Sequence, residues 1–268
     1  IRETEMLDYF DRDLETRAIA FYIEGFGEGE GRRFIKRAEA CSKPVVVFKA
    51  GKSRAGSRAA SSHTASLAGD YRVFSEIMKQ HCVAEAYTEY ELTSFCESLS
   101  CYSKGIDGRL GILSLSGGHS VIAADAAEDY GLTVPPLESG TRTAMRGKLS
   151  PEIQAIASLD NPLDLTGSAV DDDIVTSARH LFRDRNIDSV LALMIPYSPG
   201  VSADIGAKLS QVARNQDENQ DKPLIAYVPN EEKYRIIIEG FELNNIPVAS
   251  SVEGAVMMAS ALKRCRPC

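Results

Sequence analysis

The sequence lacks the features that mark several large classes of protein. It contains no tryptophan, and aromatic residues make up only 7% of the chain. No apolar run approaches the roughly 18 residues of a membrane-spanning helix, and no basic-then-apolar signal pattern opens the sequence. Basic residues are not in excess, because the net charge is −8. We therefore expect no membrane association and no nucleic-acid partner, since phosphate backbones are bound through clustered basic side chains.

The six cysteines have neither the density of a disulfide scaffold nor the paired spacing of a zinc ribbon. Cys265 and Cys268 form a C-x-x-C, but this pair does not open a helix after a strand, as a redox motif would. No group of histidine, cysteine and carboxylate residues has the spacing of metal ligands. We expect reduced cysteines, a cytoplasmic location and no protein-bound metal.

Short β-branched runs alternate with amphipathic stretches of helical length, which predicts an α/β fold with parallel sheets covered on both faces. A length of 268 residues suits two domains. The segment 105–108 separates two such series, so we predict domains over residues 1–106 and 107–268. We expect the first domain to be incomplete at its N-terminus. The predicted strands are 17–25, 43–51 and 83–87 in the first domain, and 109–115, 132–134, 189–195, 223–228 and 247–249 in the second.

Ligands of open α/β sheets bind beyond the carboxyl ends of the strands, so the residues that follow each strand are the first candidates. Glu24 ends the first strand, in the segment YIEG. A buried carboxylate there would need a partner. The alternative is a glutamate that simply turns outward at the strand end.

The segment after the second strand reads KAGKSRAGSRAASSHTASLAG and contains His63. Glycine and serine let the backbone approach an anion, and four basic residues supply positive charge. We interpret it as a mobile phosphate-handling loop, although His63 could also be an ordinary exposed histidine. It is not a Walker A loop, because Val47 stands where that motif needs a glycine.

The segment after strand 109–115 reads SGGHS and leads into an apolar helical stretch. A glycine pair at a helix N-terminus can form an anion site, but close packing of strand and helix explains such glycines equally well. We interpret His81, His119 and His180 as surface or helix-end residues.

Together these segments resemble the NDP-forming acyl-CoA synthetases, the family of ADP-forming acetate–CoA ligase and succinyl-CoA synthetase. The resemblance covers nearly the whole chain. KPVVVFKAGKSRAGSRAASSHTASLAG is similar to the strand and swinging loop that carry the family's phosphorylated histidine, and FYIEG to the strand with its supporting glutamate. GILSLSGGHSVIAADAAEDYGL and NPLDLTG are similar to the second ligase domain. The resemblance implies His63 and Glu24 as catalytic residues. It implies phosphate binding by Ser62, Thr64, Ser116, Gly117 and Gly118.

The resemblance also implies two flavodoxin-like domains and a reaction in which a phosphohistidine carries a phosphoryl group between an acyl phosphate and NDP. The substrates would be an acyl-CoA or carboxylic acid, phosphate and nucleotide. CoA and ATP or ADP with magnesium would be bound mainly by parts outside this chain, and an ATP-grasp domain or subunit and an oligomer are implied. Ala65 and Ser120 replace glycines that are usual in the family.

We expect the chain to be a piece of a larger polypeptide. One alternative is a catalytically silent sensor module of a larger protein, such as a protein acetyltransferase. Another is a generic flavodoxin-like protein that binds a nucleotide or flavin.

Overall fold

The computed structural model describes residues 1–63, 70–81, 83–215, 221–229 and 232–264. They form two compact units, one of Ile1–Gly105 with the residues from Ala261 onward, the other of Ile106–Ser260. Each unit is built on a parallel β-sheet. The predicted α/β class is therefore confirmed, whereas the assignment of residues 1–106 and 107–268 to two ligase domains stays a prediction.

The first unit contains three parallel strands, with β2 between β1 and β3. Its elements are α1 (Glu3–Arg12), β1 (Ile19–Ile23), α2 (Glu30–Glu39), β2 (Val45–Lys49), α3 (Arg54–His63), α4 (Tyr71–Gln80), β3 (Ala84–Ala86) and α5 (Glu89–Cys101). The central strand reads VVVFK and is almost wholly buried, as expected of a strand covered on both faces. Phe34, Val47 and Met78 lie in its core and are at most 1% exposed.

Helix α1 is an element that the sequence patterns did not predict. Leu7 is its one fully buried residue, and polar contacts supply much of its attachment. The Thr4 hydroxyl donates a hydrogen bond to the buried Glu30 carboxylate at 2.6 Å. The Arg37 guanidinium pairs with Asp8 and, at 2.8 Å, with Asp11. A short amphipathic helix held by charged side chains has too weak an apolar repeat to be recognised from sequence.

Helix α3 corrects the prediction of a loop between β2 and α4. The Ser53 hydroxyl accepts a hydrogen bond from the Gly56 N–H at 3.0 Å, which caps the helix at its start. The alanines and arginines of RAGSRAASSH have high helix propensity. Glycine and serine suggested a loop, but the N-terminal cap and the alanines favour the helix.

The second unit contains a five-stranded parallel sheet in the order β5-β4-β6-β7-β8. Its strands are β4 (Leu110–Ser114), β5 (Leu163–Asp164), β6 (Ser189–Leu193), β7 (Leu224–Tyr227) and β8 (Val248–Ala249). Its helices are α6 (Gly117–Asp129), α7 (Ser139–Arg146), α8 (Pro151–Ile156), α9 (Asp171–Arg183), α10 (Ile205–Arg214), α11 (Arg235–Glu242) and α12 (Val252–Arg264), with a 3-10 turn over Glu232–Tyr234. α12 continues past Ser260 into the first unit.

The predicted strand at 132–134 is wrong. Only an isolated bridge joins Thr133 to Arg109, and the segment NPLDLTG forms the edge strand β5 instead. With that correction the five strands follow the flavodoxin-like order, in which the second strand lies outside the first.

Candidate functional site

Glu24 and Lys49 meet where β1 and β2 end. Ile23 pairs with Lys49 at the last position of these parallel strands, which brings Glu24 beside the end of β2. The Lys49 ammonium donates hydrogen bonds to the carbonyl oxygen of Glu24, at 2.7 Å, and to that of Ala50. Only 2% of Lys49 is exposed. Burial lowers the pKa of Lys49, and the charge of Glu24 opposes this effect. The buried lysine thus fixes the backbone of the half-buried Glu24.

Lys52 holds the connection after β2 against the end of β3. Its ammonium donates to the carbonyl oxygens of Ala86 and Tyr87, at 3.4 and 3.2 Å. It also lies 4.9 Å from the ring centre of Phe48, 5.6 Å from that of Tyr71 and 5.0 Å from that of Tyr87. A cation is attracted to an aromatic face at such distances. Burial lowers the pKa of Lys52. The lysine anchors the segment that leads into α3.

The structure describes only part of the predicted phosphate-handling loop, KAGKSRAGSRAASSHTASLAG. The backbone of Ser62 and His63 forms the C-terminal end of α3. The side chains of these two residues, and the whole of Thr64, lie outside the described residues. Their roles in catalysis and phosphate binding stay predictions. The structure does locate the start of the segment, directly after β2 and next to the strand that leads to Glu24.

The second predicted site lies where β4 leads into α6, which begins at Gly117. The hydroxyls of Ser114 and Ser120 donate to the Ser116 carbonyl oxygen at 2.9 and 3.1 Å. The Ser116 N–H in turn donates to the Ser114 hydroxyl at 3.1 Å. The Ser116 side chain makes no capping bond to the helix, and Gly117 and Gly118 are exposed. An anion can therefore reach the positive end of this helix.

Asp164, at the end of β5, lies beside the same glycine pair. A Cβ atom on Gly117 would stand 3.1 Å from Oδ2 of Asp164. The other carboxylate oxygen accepts a hydrogen bond from the Thr166 N–H at 2.9 Å. Thr166 has a φ of 63°, which a β-branched residue rarely adopts and which costs about 1–3 kcal/mol. Such strain is concentrated at functional sites. The sequence analysis did not single out Asp164 or Thr166, although an acidic residue at a strand end was an available signal.

The loops after β4, β5 and β6 lie at the point where the strand order of the second sheet reverses. β4 and β6 are neighbours whose next strands lie on opposite sides, and open α/β sheets bind ligands in such a crevice. The loops after β5 and β6 approach each other there, because a Cβ atom on Gly167 would lie 3.5 Å from the Ser198 hydroxyl. The glycine pair thus lies where this fold class binds its ligands.

The three histidines interpreted as surface or helix-end residues differ in their surroundings. His81 ends α4 and contacts the Glu39 carboxylate at 2.5 Å. His180 contacts a carbonyl oxygen one turn earlier in α9 at 2.8 Å. For these two the interpretation is confirmed. His119 also lies at a helix end, in the first turn of α6, with its ring edge-on against Tyr227 at 5.3 Å and its Nδ1 buried.

Within the described ranges, no group of three histidine, cysteine or carboxylate side chains is placed to hold a metal ion. None of the helices described is long and apolar enough to cross a membrane. Cys41, Cys96 and Cys101 are free thiols, and burial raises the pKa of Cys96 to about 11. Cys82 and the C-x-x-C of Cys265 and Cys268 lie outside the described residues.

The chain is similar along almost its whole length to known ligases. Residues 1–99 match the model of the succinyl-CoA ligase like flavodoxin domain. The alpha subunit of ADP-forming acetate–CoA ligase II from Pyrococcus furiosus is 34% identical over 267 residues, which cover 96% of this chain and 55% of that subunit. ADP-forming acetate–CoA ligase I from Archaeoglobus fulgidus is 39% identical over 194 residues, 72% of this chain and 27% of that protein.

A solved structure shares the fold. It is the dinucleotide-forming acetyl-coenzyme A synthetase 1 of Ca. Korarchaeum cryptofilum in complex with phosphate and ADP, which matches with a TM-score of 0.85 and 26% identity. The match covers 98% of this chain and 56% of that one. The chain belongs to the NDP-forming acyl-CoA synthetase family. It spans about half the length of the Pyrococcus furiosus subunit, and less of the Archaeoglobus fulgidus ligase.

Proposed function

We propose that this chain is part of an NDP-forming acyl-CoA synthetase, an acid–thiol ligase that converts acyl-CoA, NDP and phosphate into acid, CoA and NTP. One observation carries the proposal. At the carboxyl edge of the first sheet, Glu24 lies beside Lys49, and the chain runs from Lys49 into the helix that ends at His63. Membership of the family supports the same reaction, because the relatives named above are ADP-forming ligases.

In this proposal His63 carries the phosphoryl group. Phosphate first displaces CoA from the acyl-CoA, which forms an acyl phosphate. The ring nitrogen of His63 then attacks the phosphorus of this acyl phosphate, the bond from phosphorus to the carboxylate oxygen breaks, and the acid leaves. The phosphoryl group then passes to the terminal oxygen of NDP, which regenerates the imidazole. A histidine suits this role because its ring nitrogen is nucleophilic near neutral pH. Glu24 would hold the other ring nitrogen and stabilise the cationic ring.

The N-terminus of α6 would hold the transferred phosphoryl group in the second unit. Gly117 and Gly118 leave the first helical turn accessible, and backbone N–H groups at such a turn bind phosphate oxygens. Ser116 would contribute from the preceding position, with its backbone already held by two serine hydroxyls.

The remaining components of the reaction would come from outside this chain. CoA and ATP or ADP, the nucleotide with its magnesium, would bind mainly to other domains or subunits. An ATP-grasp domain or subunit would supply the nucleotide site, within an oligomer. A cytoplasmic location agrees with the free thiols of Cys41, Cys96 and Cys101.

The alternative is a silent sensor module, which would keep the fold without the chemistry. The relatives named above are ligases, and the chain retains both a histidine and a glutamate at the positions that the reaction needs. These observations favour catalysis.

The deciding experiment is phosphorylation of the full-length protein with γ-labelled ATP and magnesium. We expect an acid-labile, base-stable label on the peptide that contains His63, and no label on a His63→Ala variant with an unchanged circular dichroism spectrum. An equal label on the variant would refute the phosphohistidine. No label on folded full-length wild-type protein would favour the silent module.

Glu24→Gln tests the supporting carboxylate separately. The amide keeps the shape of the side chain but loses the charge that stabilises a cationic ring, so we expect a lower yield of phosphohistidine with unchanged unfolding. Glu28→Gln is the matched control, because Glu28 is an exposed carboxylate after the same strand. Equal labelling of both variants would assign Glu24 a purely structural role.

A further inference from the structure

A cleft of about 680 Å³ opens in the first unit beside the start of α3. Its volume falls in the range of small-molecule sites, roughly 300–1,000 Å³. Four cationic side chains line it, those of Lys52, Arg54, Arg58 and Arg72, against a single carboxylate, that of Asp70. Such a concentration of positive charge stands out in a chain whose net charge is −8.

The three arginines of the cleft have no acidic partner in the described part of the chain. No carboxylate there forms an ion pair with Arg54, Arg58 or Arg72. Asp70 instead caps α4, where it accepts a hydrogen bond from the Arg72 backbone N–H at 2.8 Å. Arg54 and Arg58 are four residues apart on α3, a spacing at which like charges repel each other. An anion between them would remove this repulsion.

One helix adds to the positive potential of the cleft. Helix α3 begins at Arg54, is ten residues long and contributes its first turn to the lining, and the N-terminal end of such a helix carries a partial positive charge. At α4 the capping carboxylate of Asp70 offsets the corresponding charge. Lys52 contributes its charge from the cleft wall, although its ammonium already donates to two carbonyl oxygens.

We propose that this cleft binds the diphosphate group of a substrate. Planar guanidinium groups bind phosphate oxygens through paired hydrogen bonds, and three arginines exceed what one phosphate group neutralises. CoA and nucleoside diphosphates both carry the required group, and the cleft would be a contact additional to the main sites that other domains or subunits provide for them. The proposal concerns binding alone and does not depend on phosphoryl transfer through His63.

The test is calorimetric titration of inorganic pyrophosphate into this chain, both wild type and His63→Ala. We expect binding to both, at least tenfold tighter than binding of orthophosphate. Arg58→Gln and Arg72→Gln should each weaken it about tenfold, the loss expected for a charged hydrogen-bonding group. Arg32→Gln is the matched control, because Arg32 is exposed on α2 and does not line the cleft. It should leave the affinity unchanged.

Competition then identifies the source of the diphosphate. Displacement of pyrophosphate by CoA, and not by ADP, would assign the cleft to CoA, and the reverse would assign it to the nucleotide. Absence of pyrophosphate binding to folded wild-type chain would overturn the proposal. So would equal affinity in an Arg58→Gln, Arg72→Gln double variant, or an equal loss in Arg32→Gln. Binding to the His63→Ala chain separates this result from any failure of the phosphohistidine mechanism.

Discussion

The buried ammonium of Lys49 stands 2.7 Å from the carbonyl oxygen of Glu24 and joins the ends of two neighbouring parallel strands through a side chain. Three residues later Lys52 does the same for β2 and β3. The chain thus uses two lysines to hold three strand ends together at the edge where Glu24 lies. Both ammonium groups make these hydrogen bonds to backbone carbonyl oxygens.

Replacing Lys49 by methionine should therefore affect both folding and chemistry. The variant leaves two carbonyl oxygens without their donor, which we expect to lower the free energy of unfolding by about 1–3 kcal/mol. The strands stay paired through their backbones, but the Glu24 carbonyl oxygen loses its bond to the ammonium, so the yield of phosphohistidine should also fall. Urea unfolding and the γ-labelled ATP experiment measure the two effects.

Lys43→Met is the control that shows whether reduced labelling comes from the position of Lys49 beside Glu24 or only from a loss of stability. Lys43 likewise donates to two carbonyl oxygens, those of Phe10 and Asp13 at the end of α1. We expect a comparable loss of stability with normal labelling. If Lys43→Met reduced labelling as much as Lys49→Met, the effect of Lys49 would come from stability alone.

The elements that the sequence patterns predicted correctly include the buried central strands. β2, β4 and β6 are runs of apolar residues that no other element type explains, and each lies within its predicted range. α3 was missed because its glycines and serines suggested a loop, whereas the bond from the Gly56 N–H to the Ser53 hydroxyl and the alanines favour a helix. The prediction of a strand near Thr133 was wrong for the opposite reason. The sequence there suits a strand, but it forms only one isolated bridge.

Much of the candidate site depends on contacts that no local pattern encodes. The glycine pair at 117 and 118 could be recognised because it stands in one continuous motif. The contact between Lys49 and Glu24 could not, because it joins residues 25 positions apart through a backbone oxygen. The approach of Asp164 to Gly117 depends on which strand occupies the sheet edge, and the sequence analysis predicted no strand over NPLDLTG.

We predict that alanine substitutions at Gly117 and Gly118 have different effects on turnover. A Cβ atom on Gly117 would stand 3.1 Å from the Asp164 carboxylate, whereas one on Gly118 would be 3.7 Å from the Ser116 hydroxyl, an ordinary contact. We therefore expect Gly117→Ala to lower turnover and Gly118→Ala to have a smaller effect. Steady-state kinetics of the full-length enzyme with phosphate as the varied substrate measures both. Equal kinetics for the two variants would contradict a role for the Asp164 contact.

The close packing of α10 on α11 depends on a second pair of glycines. A Cβ atom on Gly206 would overlap the Ile237 carbonyl oxygen, and one on Gly240 would lie 2.8 Å from the backbone nitrogen of Ala207. Gly206→Ala should destabilise the protein by about 1–3 kcal/mol, as overpacking does. Gly140→Ala is the control, because nothing lies within 4 Å of its Cβ position. Thermal unfolding should show a loss for the first variant and none for the second.

Lys222 gives the protein a measurable dependence of stability on pH. Burial lowers the pKa of Lys222 to about 8, against the opposing charges of Asp184 and Asp188. Above that pH the folded chain has released a proton that the unfolded chain keeps up to its ordinary pKa of 10.5. The contribution of this group to the free energy of unfolding therefore rises with pH over that interval. Lys222→Met should remove this rise, which urea unfolding at several pH values detects.

Lys208→Met is the control for the pH dependence of stability, because the pKa of Lys208 is shifted in the opposite direction. Asp171 and Asp204 raise the pKa of Lys208 above its ordinary value, so both folded and unfolded chains keep its proton over most of the same interval. Its removal should shift the stability of the protein without changing the slope between about pH 8 and 10. A Lys222→Met variant that kept the wild-type slope would show that Lys222 stays protonated in the folded chain throughout, with its bond to the Asp184 carbonyl oxygen intact.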